Sequence, residues 1–200
     1  MRNEQASMGW QFWLQWLVAT SVSWVGGTIL YHTLGLALLG GVGEVAGNTI
    51  LGLLIGTGQW LVLRRWLDRA GWWALAAAGG NLLAASVGVG SQAVLGENVS
   101  GLILTIGLGL VPGVLQWLVL RQQVARAGWW VLASTVLGFG AILAGVAAGF
   151  GVGLKEGELG FAIVAAITGG ALYGITSGLV LIWLLRRPSV APAGVRAEAS

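Results

Sequence analysis

The sequence predicts an all-α integral membrane protein, with six transmembrane helices arranged as three tandem two-helix hairpin repeats with glycine-rich packing faces. Only 8% of the 200 residues are charged and 56% are hydrophobic, whereas a soluble domain carries about 25% charged residues. The mean hydropathy is +0.85. Because so few charges cannot cover a surface that faces water, a lipid bilayer is the solvent that this composition favours.

Six segments are long and apolar enough to span a bilayer, which takes about 20 mostly apolar residues. They do not alternate polar and apolar residues as the strands of a membrane β-barrel do. The apolar, glycine-rich stretch 31–44 is left open as a loop, a re-entrant segment or a helix extension. The predicted spans are Trp10–Leu30, Val45–Leu63, Trp72–Gly90, Gly101–Leu120, Trp129–Phe150 and Phe161–Leu185.

The basic residues predict how the chain is threaded. Nine of the ten precede the first span or follow an even-numbered span, and only Lys155 falls on the other side. Since cytoplasmic loops are enriched in basic residues, both termini are predicted to be cytoplasmic, in a bacterial inner membrane or its equivalent. Anionic lipid headgroups on that side are the predicted partners, and no nucleic acid is expected. The segment 188–200, which contains two prolines, is predicted to be a disordered cytoplasmic tail.

The tryptophans follow the same polarity. Eleven of the 12 lie near the predicted cytoplasmic ends, and only Trp24 lies deeper. Indoles favour the headgroup boundary, where the ring and the N–H group meet different solvents. The pattern therefore predicts a tryptophan belt at one leaflet. The interface anchors expected at this boundary are Trp60, Arg64, Trp72, Trp117, Arg121 and Trp129.

The chain repeats itself around these anchors. QWLVLR stands at Gln59–Arg64 and again at Gln116–Arg121, and RRWLDRAGWW at Arg64–Trp73 is similar to RQQVARAGWW at Arg121–Trp130. A Gly-Trp pair opens each odd-numbered span, and an arginine closes each even-numbered one. These marks divide a single transmembrane domain, 1–187, into repeats at about 9–65, 71–122 and 128–187. Equal orientation of the repeats predicts a pseudo-threefold axis along the membrane normal.

The two QWLVLR…RAGWW units resemble repeats in uncharacterised bacterial multi-span membrane proteins, over about half of the chain. The resemblance implies a multi-span helical protein and no particular activity, substrate or site. Mitochondrial solute carriers also contain three two-helix repeats. Their proline-acid-basic motif at the ends of odd-numbered helices is missing here, so that assignment is rejected.

Small and polar residues form a stripe on each even-numbered span when the spans are aligned on their closing arginines. Their spacing of four, four and three residues places them on one helix face, and in lipid such a face lets helix backbones approach closely. The alternative is that the stripe lines a central pore with the glutamines as its constriction. Leu181 stands where a symmetric ring needs a third glutamine, which favours packing. The stripes contain Asn48, Gly52, Gly56 and Gln59, then Thr105, Gly109, Gly113 and Gln116, then Gly170, Gly174 and Gly178.

Other candidates carry less information. Pro112 should bend or loosen the fourth span, and Asn81 and Tyr173 are expected to form hydrogen bonds between helices. His32 is the only histidine, which does not make a metal site. Cysteine is absent, and no metalloprotease, nucleophile-elbow or P-loop motif occurs. No cofactor, metal or catalytic residue is therefore predicted.

These observations predict a non-enzymatic protein, but they leave its role open. The first hypothesis is a scaffold or accessory subunit that packs through its GxxxG faces against another copy or a larger membrane complex. The alternative is a small passive channel or facilitator along the repeat axis. Binding of a lipid or a pigment such as a carotenoid is a third, weaker hypothesis.

Overall fold

The computed structural model describes residues 9–37 and 40–186, without the side chains of residues 34–37. This part of the chain is helical, and its long apolar helices fit an integral membrane protein. The predicted tail at 188–200 lies outside the described residues. The helices are α1 (Trp10–Ala37), α2 (Gly41–Leu63), α3 (Gly71–Leu120), α4 (Trp129–Gly151) and α5 (Leu159–Leu185).

The 50-residue helix α3 turns back on itself at Gly96. The backbone there has φ 76° and ψ 166°, a conformation that glycine adopts readily because it has no Cβ. The two halves pack together: Gly80 faces the backbone of Pro112, and a Cβ added to Gly88 would lie 2.8 Å from the Cβ of Leu104. α3 is therefore an antiparallel pair of helical segments, α3a (71–95) and α3b (97–120).

The prediction of six separate spans in three hairpins is not supported at that level of detail. The third and fourth predicted spans fall on α3a and α3b, which meet at Gly96 with no loop between them. Four helices, α2 to α5, are long and apolar enough to cross a membrane, judged by length and composition. α1 is not among them, because it is rich in tryptophan and polar residues; of these, Trp16 and Thr20 are wholly buried. In the stretch 31–44, for which the sequence allowed three structures, α1 continues to Ala37 and α2 begins at Gly41.

The described helices form a closed ring. α1 packs on α2, α2 on α3, α3 on α4 and α4 on α5, and α5 returns to pack on α1. Neighbouring segments are antiparallel, as α5 and α1 illustrate: Gly170 approaches Ser21, and the later Gly178 approaches the earlier Trp16. Consequently the ends of α2, α3 and α5 lie together with Arg64, Arg121 and Arg186, and we call this the arginine end of the ring. The turn at Gly96 and the α4–α5 connection (152–158) lie at the opposite end, which we call the open end.

The hydrophobic core fills the arginine end. It is a cluster of buried residues from the ends of the helices and from the two connections that follow α2 and α3. Leu67 and Val124 occupy corresponding places in those connections. The remaining members are Phe12, Trp16, Val62, Leu63, Ala70, Trp73, Leu120, Ala127, Trp130, Leu181, Ile182 and Leu184. Because the core lies at one end, the ring keeps space in its interior towards the other.

Candidate functional site

Three tryptophans close the ring at the arginine end. Trp16, Trp73 and Trp130 are wholly buried and stand 57 residues apart along the chain. Their ring centroids are 6.2 Å (Trp16–Trp73), 6.4 Å (Trp16–Trp130) and 5.2 Å (Trp73–Trp130) apart. Tilted and edge-on contacts of this length are favourable for aromatic rings. Together the indoles form a triangle across the ring, which we call the tryptophan floor.

Two of the floor tryptophans donate hydrogen bonds to the repeated glutamines. Trp73 Nε1 donates to Gln59 Oε1 at 2.8 Å, and Trp130 Nε1 donates to Gln116 Oε1 at 2.9 Å. A buried indole N–H needs an acceptor, and each glutamine supplies it from the preceding helical segment of the ring. The glutamines therefore join neighbouring segments at the level of the floor.

The third floor tryptophan is bound by a serine on α5. Trp16 Nε1 donates to Ser177 Oγ at 3.0 Å, and Leu181, where the arginine alignment looked for a third glutamine, is wholly buried in the hydrophobic core. Gly174 stands three residues before Ser177, as Gly56 does before Gln59. In α5 the residue that binds the floor tryptophan is therefore Ser177, one helical turn before Leu181, which the arginine alignment had placed opposite the glutamines.

The predicted glycine stripes lie against neighbouring helices of the same chain. A Cβ added to Gly56 would lie 2.6 Å from the Cβ of Ala77, and one added to Gly109 would lie 2.8 Å from the carbonyl oxygen of Ser134. Such distances leave no room for a side chain. Gly52 and Gly113 make similarly close approaches to α3a and α4, and Gly170, Gly174 and Gly178 make them to α1.

The two remaining stripe residues hydrogen-bond within their own helices. Asn48 is buried in α2 and donates to the carbonyl of Glu44 at 2.9 Å. Thr105 is partly exposed in α3b and donates to the carbonyl of Gly101 at 2.7 Å. Neither side chain hydrogen-bonds to a neighbouring helix in the described part of the chain. Asn48 instead lines the interior space of the ring.

The predicted interface anchors differ from the floor tryptophans in exposure. Trp72 and Trp129 are 61% and 53% exposed, although each directly precedes a wholly buried indole. The guanidinium of Arg64 lies 5.8 Å from the ring centroid of Trp60, and Arg121 lies 5.1 Å from the ring of Trp117. Cation–π contacts form at these distances. The expected belt therefore divides into exposed indoles at the surface and buried indoles in the floor.

A cavity of about 510 Å³ occupies the interior of the ring above the tryptophan floor. All five helices line it, and most of the lining side chains are apolar. Charged or ionisable groups stand at its mouth, where Glu156 and His32 lie. His32 Nε2 is 3.2 Å from the carbonyl oxygen of Gly157, which joins α1 to the α4–α5 connection. The polar side chains in the lining below the mouth are Thr28, Asn48, Gln59, Asn81, Gln116, Ser134 and Tyr173.

The polar groups low in the cavity differ in how fully they are paired. Gln59 uses both ends of its amide, since Nε2 donates to Thr20 Oγ1 at 3.4 Å while Oε1 accepts from Trp73. Asn81 donates to the carbonyl of Ala77 at 2.9 Å. Tyr173 stacks on Trp24 with a centroid distance of 6.0 Å. The expected hydrogen bonds of Asn81 and Tyr173 to other helices do not form in the described part of the chain.

Sequence reasoning missed the floor and Ser177. The available signal was the equal 57-residue spacing of Trp16, Trp73 and Trp130, which matches the spacing of Gln59 and Gln116. Within the described residues, no group of His, Cys, Asp and Glu side chains could hold a metal ion.

No family model matches the chain, and comparisons with curated proteins and with solved structures find no match either. The resemblance to uncharacterised bacterial membrane proteins therefore stays a prediction.

Proposed function

We propose that this protein is a non-enzymatic integral membrane protein that binds a small, largely apolar molecule inside its helix ring. The observation that carries the proposal is the cavity of about 510 Å³, closed at one end and lined mainly by apolar side chains. Sites for small molecules commonly measure about 300–1,000 Å³ and combine an apolar lining with a few polar groups.

This proposal takes precedence over the scaffold hypothesis because of where the glycines lie. A scaffold that packs through GxxxG faces needs those faces to be free for a partner. Gly56, Gly109 and Gly174 instead face helices of their own chain at distances that admit no further group. Association with another copy or a larger membrane complex would have to use a different surface.

The tryptophan floor also disfavours a passive channel. A path along the ring axis would have to pass Trp16, Trp73 and Trp130, which are wholly buried and in mutual contact. Opening that path would separate the three rings and break their hydrogen bonds to Gln59, Gln116 and Ser177. A site that is reached from the open end requires no such change.

We place the ring across the membrane as six crossings with the arginine end in the cytoplasm. α3a and α3b each contain about 25 residues, which corresponds to about 37 Å of helix and exceeds a hydrocarbon core of about 30 Å. The positive-inside rule orients the arginines. The shared pattern of tryptophan, acceptor and glycine contacts supports three structural repeats around one axis.

Two leucine substitutions in α4 test the binding function. Gly138 lines the cavity, and the nearest atoms to an added Cβ, in Gly109 and Tyr173, lie 3.5 and 3.9 Å away. Gly138→Leu should therefore fill cavity space. Gly140→Leu is the matched control, since Gly140 is exposed and has nothing within 4 Å of an added Cβ.

The measurement is purification from native membranes in mild detergent, followed by mass spectrometry and an absorption spectrum of the bound molecules. We expect a small molecule to copurify with the wild type and with Gly140→Leu, and to be lost from a folded Gly138→Leu. Equal loading of all three proteins would refute the cavity as the binding site. Stable copurifying subunits with no bound small molecule would favour the scaffold instead.

A further inference from the structure

Three polar side chains in the cavity have polar atoms that form no hydrogen bond with any described residue. Gln116 is 4% exposed, Asn81 8% and Tyr173 9%. Gln116 uses its Oε1 and Asn81 its Nδ2 in hydrogen bonds. The Gln116 Nε2, the Asn81 Oδ1 and the Tyr173 hydroxyl have no partner among the described residues. They are not sealed inside the protein, so they face the cavity that these residues line.

Such atoms need a partner that comes from outside the described part of the chain. Nearly all buried polar atoms in proteins are hydrogen-bonded, either to protein or to ordered water. Gln116 and Tyr173 offer donors, and Asn81 offers an acceptor. Gln116 binds the floor itself, whereas Tyr173 stacks on Trp24, which stands eight residues beyond Trp16, or about 12 Å of helix. A molecule that enters from the open end would therefore meet Tyr173 before Gln116.

The polar atoms in the depth of the cavity carry no charge. The ionisable acid and imidazole of the lining, Glu156 and His32, are both at the mouth. A charged group brought to Gln116 and Tyr173 would lose its hydration without gaining a counter-ion, which is unfavourable. An uncharged carbonyl or hydroxyl would instead gain hydrogen bonds.

The wall between the mouth and these polar groups is hydrocarbon. It includes Leu108 of α3b, Ile142 and Val146 of α4, and Phe161 and Ala165 of α5. An apolar body is favoured against such a wall because its burial removes apolar surface from water.

We infer that the cavity binds an uncharged amphiphile head first, with a carbonyl or hydroxyl oxygen that accepts a hydrogen bond from the Tyr173 hydroxyl and with its hydrocarbon body along the upper wall. The inference rests on the proposed binding function and adds the chemical class and the orientation of the ligand.

The test uses the full-length protein in detergent and three probes of equal chain length: 2-dodecanone, dodecane and dodecanoate. Native mass spectrometry over a range of probe concentrations gives an apparent affinity for each. We expect the wild type to bind the ketone more tightly than dodecane or dodecanoate. Tyr173→Phe keeps the ring that stacks on Trp24 and removes the hydroxyl. It should weaken ketone binding about two- to tenfold, the value of one hydrogen bond, and leave dodecane binding unchanged.

The second tyrosine provides the matched control. Tyr31 lines the same cavity at its mouth, so Tyr31→Phe should leave the preference for the ketone intact. Tightest binding of dodecanoate, or an unchanged ketone affinity in Tyr173→Phe, would overturn the head-first inference while leaving the cavity as a binding site. Failure of the folded wild type to bind any probe would overturn the proposed function as well.

Discussion

Removal of the Ser177 hydroxyl should weaken the contact that closes the ring between α5 and α1. That hydroxyl accepts the hydrogen bond of Trp16 Nε1 at 3.0 Å and donates to the carbonyl of Tyr173. In Ser177→Ala the indole N–H loses its acceptor, and water cannot replace it because Trp16 is wholly buried. An unsatisfied buried donor costs about 1–3 kcal/mol, and hydrogen bonds within membrane proteins average about 0.6 kcal/mol. We expect a loss of about 1–2 kcal/mol in the free energy of unfolding.

The assay is unfolding in mixed micelles, followed by circular dichroism. Thr176→Ala is the control, since the Thr176 hydroxyl donates to the carbonyl of Leu172 in its own helix and its loss should cost under about 0.5 kcal/mol. A double-mutant cycle with Trp16→Phe isolates the pair, for which we expect a coupling of about 1 kcal/mol. Equal effects of Ser177→Ala and Thr176→Ala, or a coupling of zero, would refute this account of ring closure.

Three further predictions concern helix packing, the turn of α3 and membrane threading. Gly56→Leu should destabilise the protein by more than about 3 kcal/mol, because an added Cβ would lie 2.8 Å from the backbone of the neighbouring helix and overpacking alone costs about 1–3 kcal/mol. Gly140→Leu should be near neutral in the same unfolding assay, and equal stability of the two variants would count against the packing argument. Gly96→Ala should cost about 1–2 kcal/mol, because φ is +76° at this position and a Cβ is unfavourable there; an unchanged unfolding midpoint would show that the turn is not constrained. Glu97→Cys and Gln122→Cys, in a chain without native cysteine, should react with a membrane-impermeant maleimide from opposite sides of the membrane, and labelling from one side would reject the six-crossing arrangement.

The helical structure and the gathering of arginines at one end could be predicted from the sequence. The first depends on composition, and the second depends on where the arginines stand relative to the apolar segments. The residues that close helices at the arginine end, Arg64, Arg121 and Arg186, end α2, α3 and α5 in the structure. The turn at Gly96 carried a weaker signal. It lies among Glu97 and other polar residues between two apolar runs, and a single non-helical glycine reverses the chain there without an intervening loop.

The interior of the ring could not be predicted in the same way. Trp72 and Trp73 are adjacent and chemically identical, yet one is 61% exposed and the other is wholly buried. Which side of the helix faces the ring axis decides this difference, and an indole is compatible with both environments. The alignment of α5 on its closing arginine missed its contact residues for a related reason. The arginine marks where the helix ends, whereas contacts such as that of Gly174 with Leu17 decide which residues of α5 face α1.

The return of α5 to α1 changes what the covalent connections contribute. Because α5 packs on α1, each of the five described helices packs against two others. The connections that join the segments then act chiefly by holding them at high effective concentration. The same segments supplied as separate chains would have to reach that concentration to form the ring.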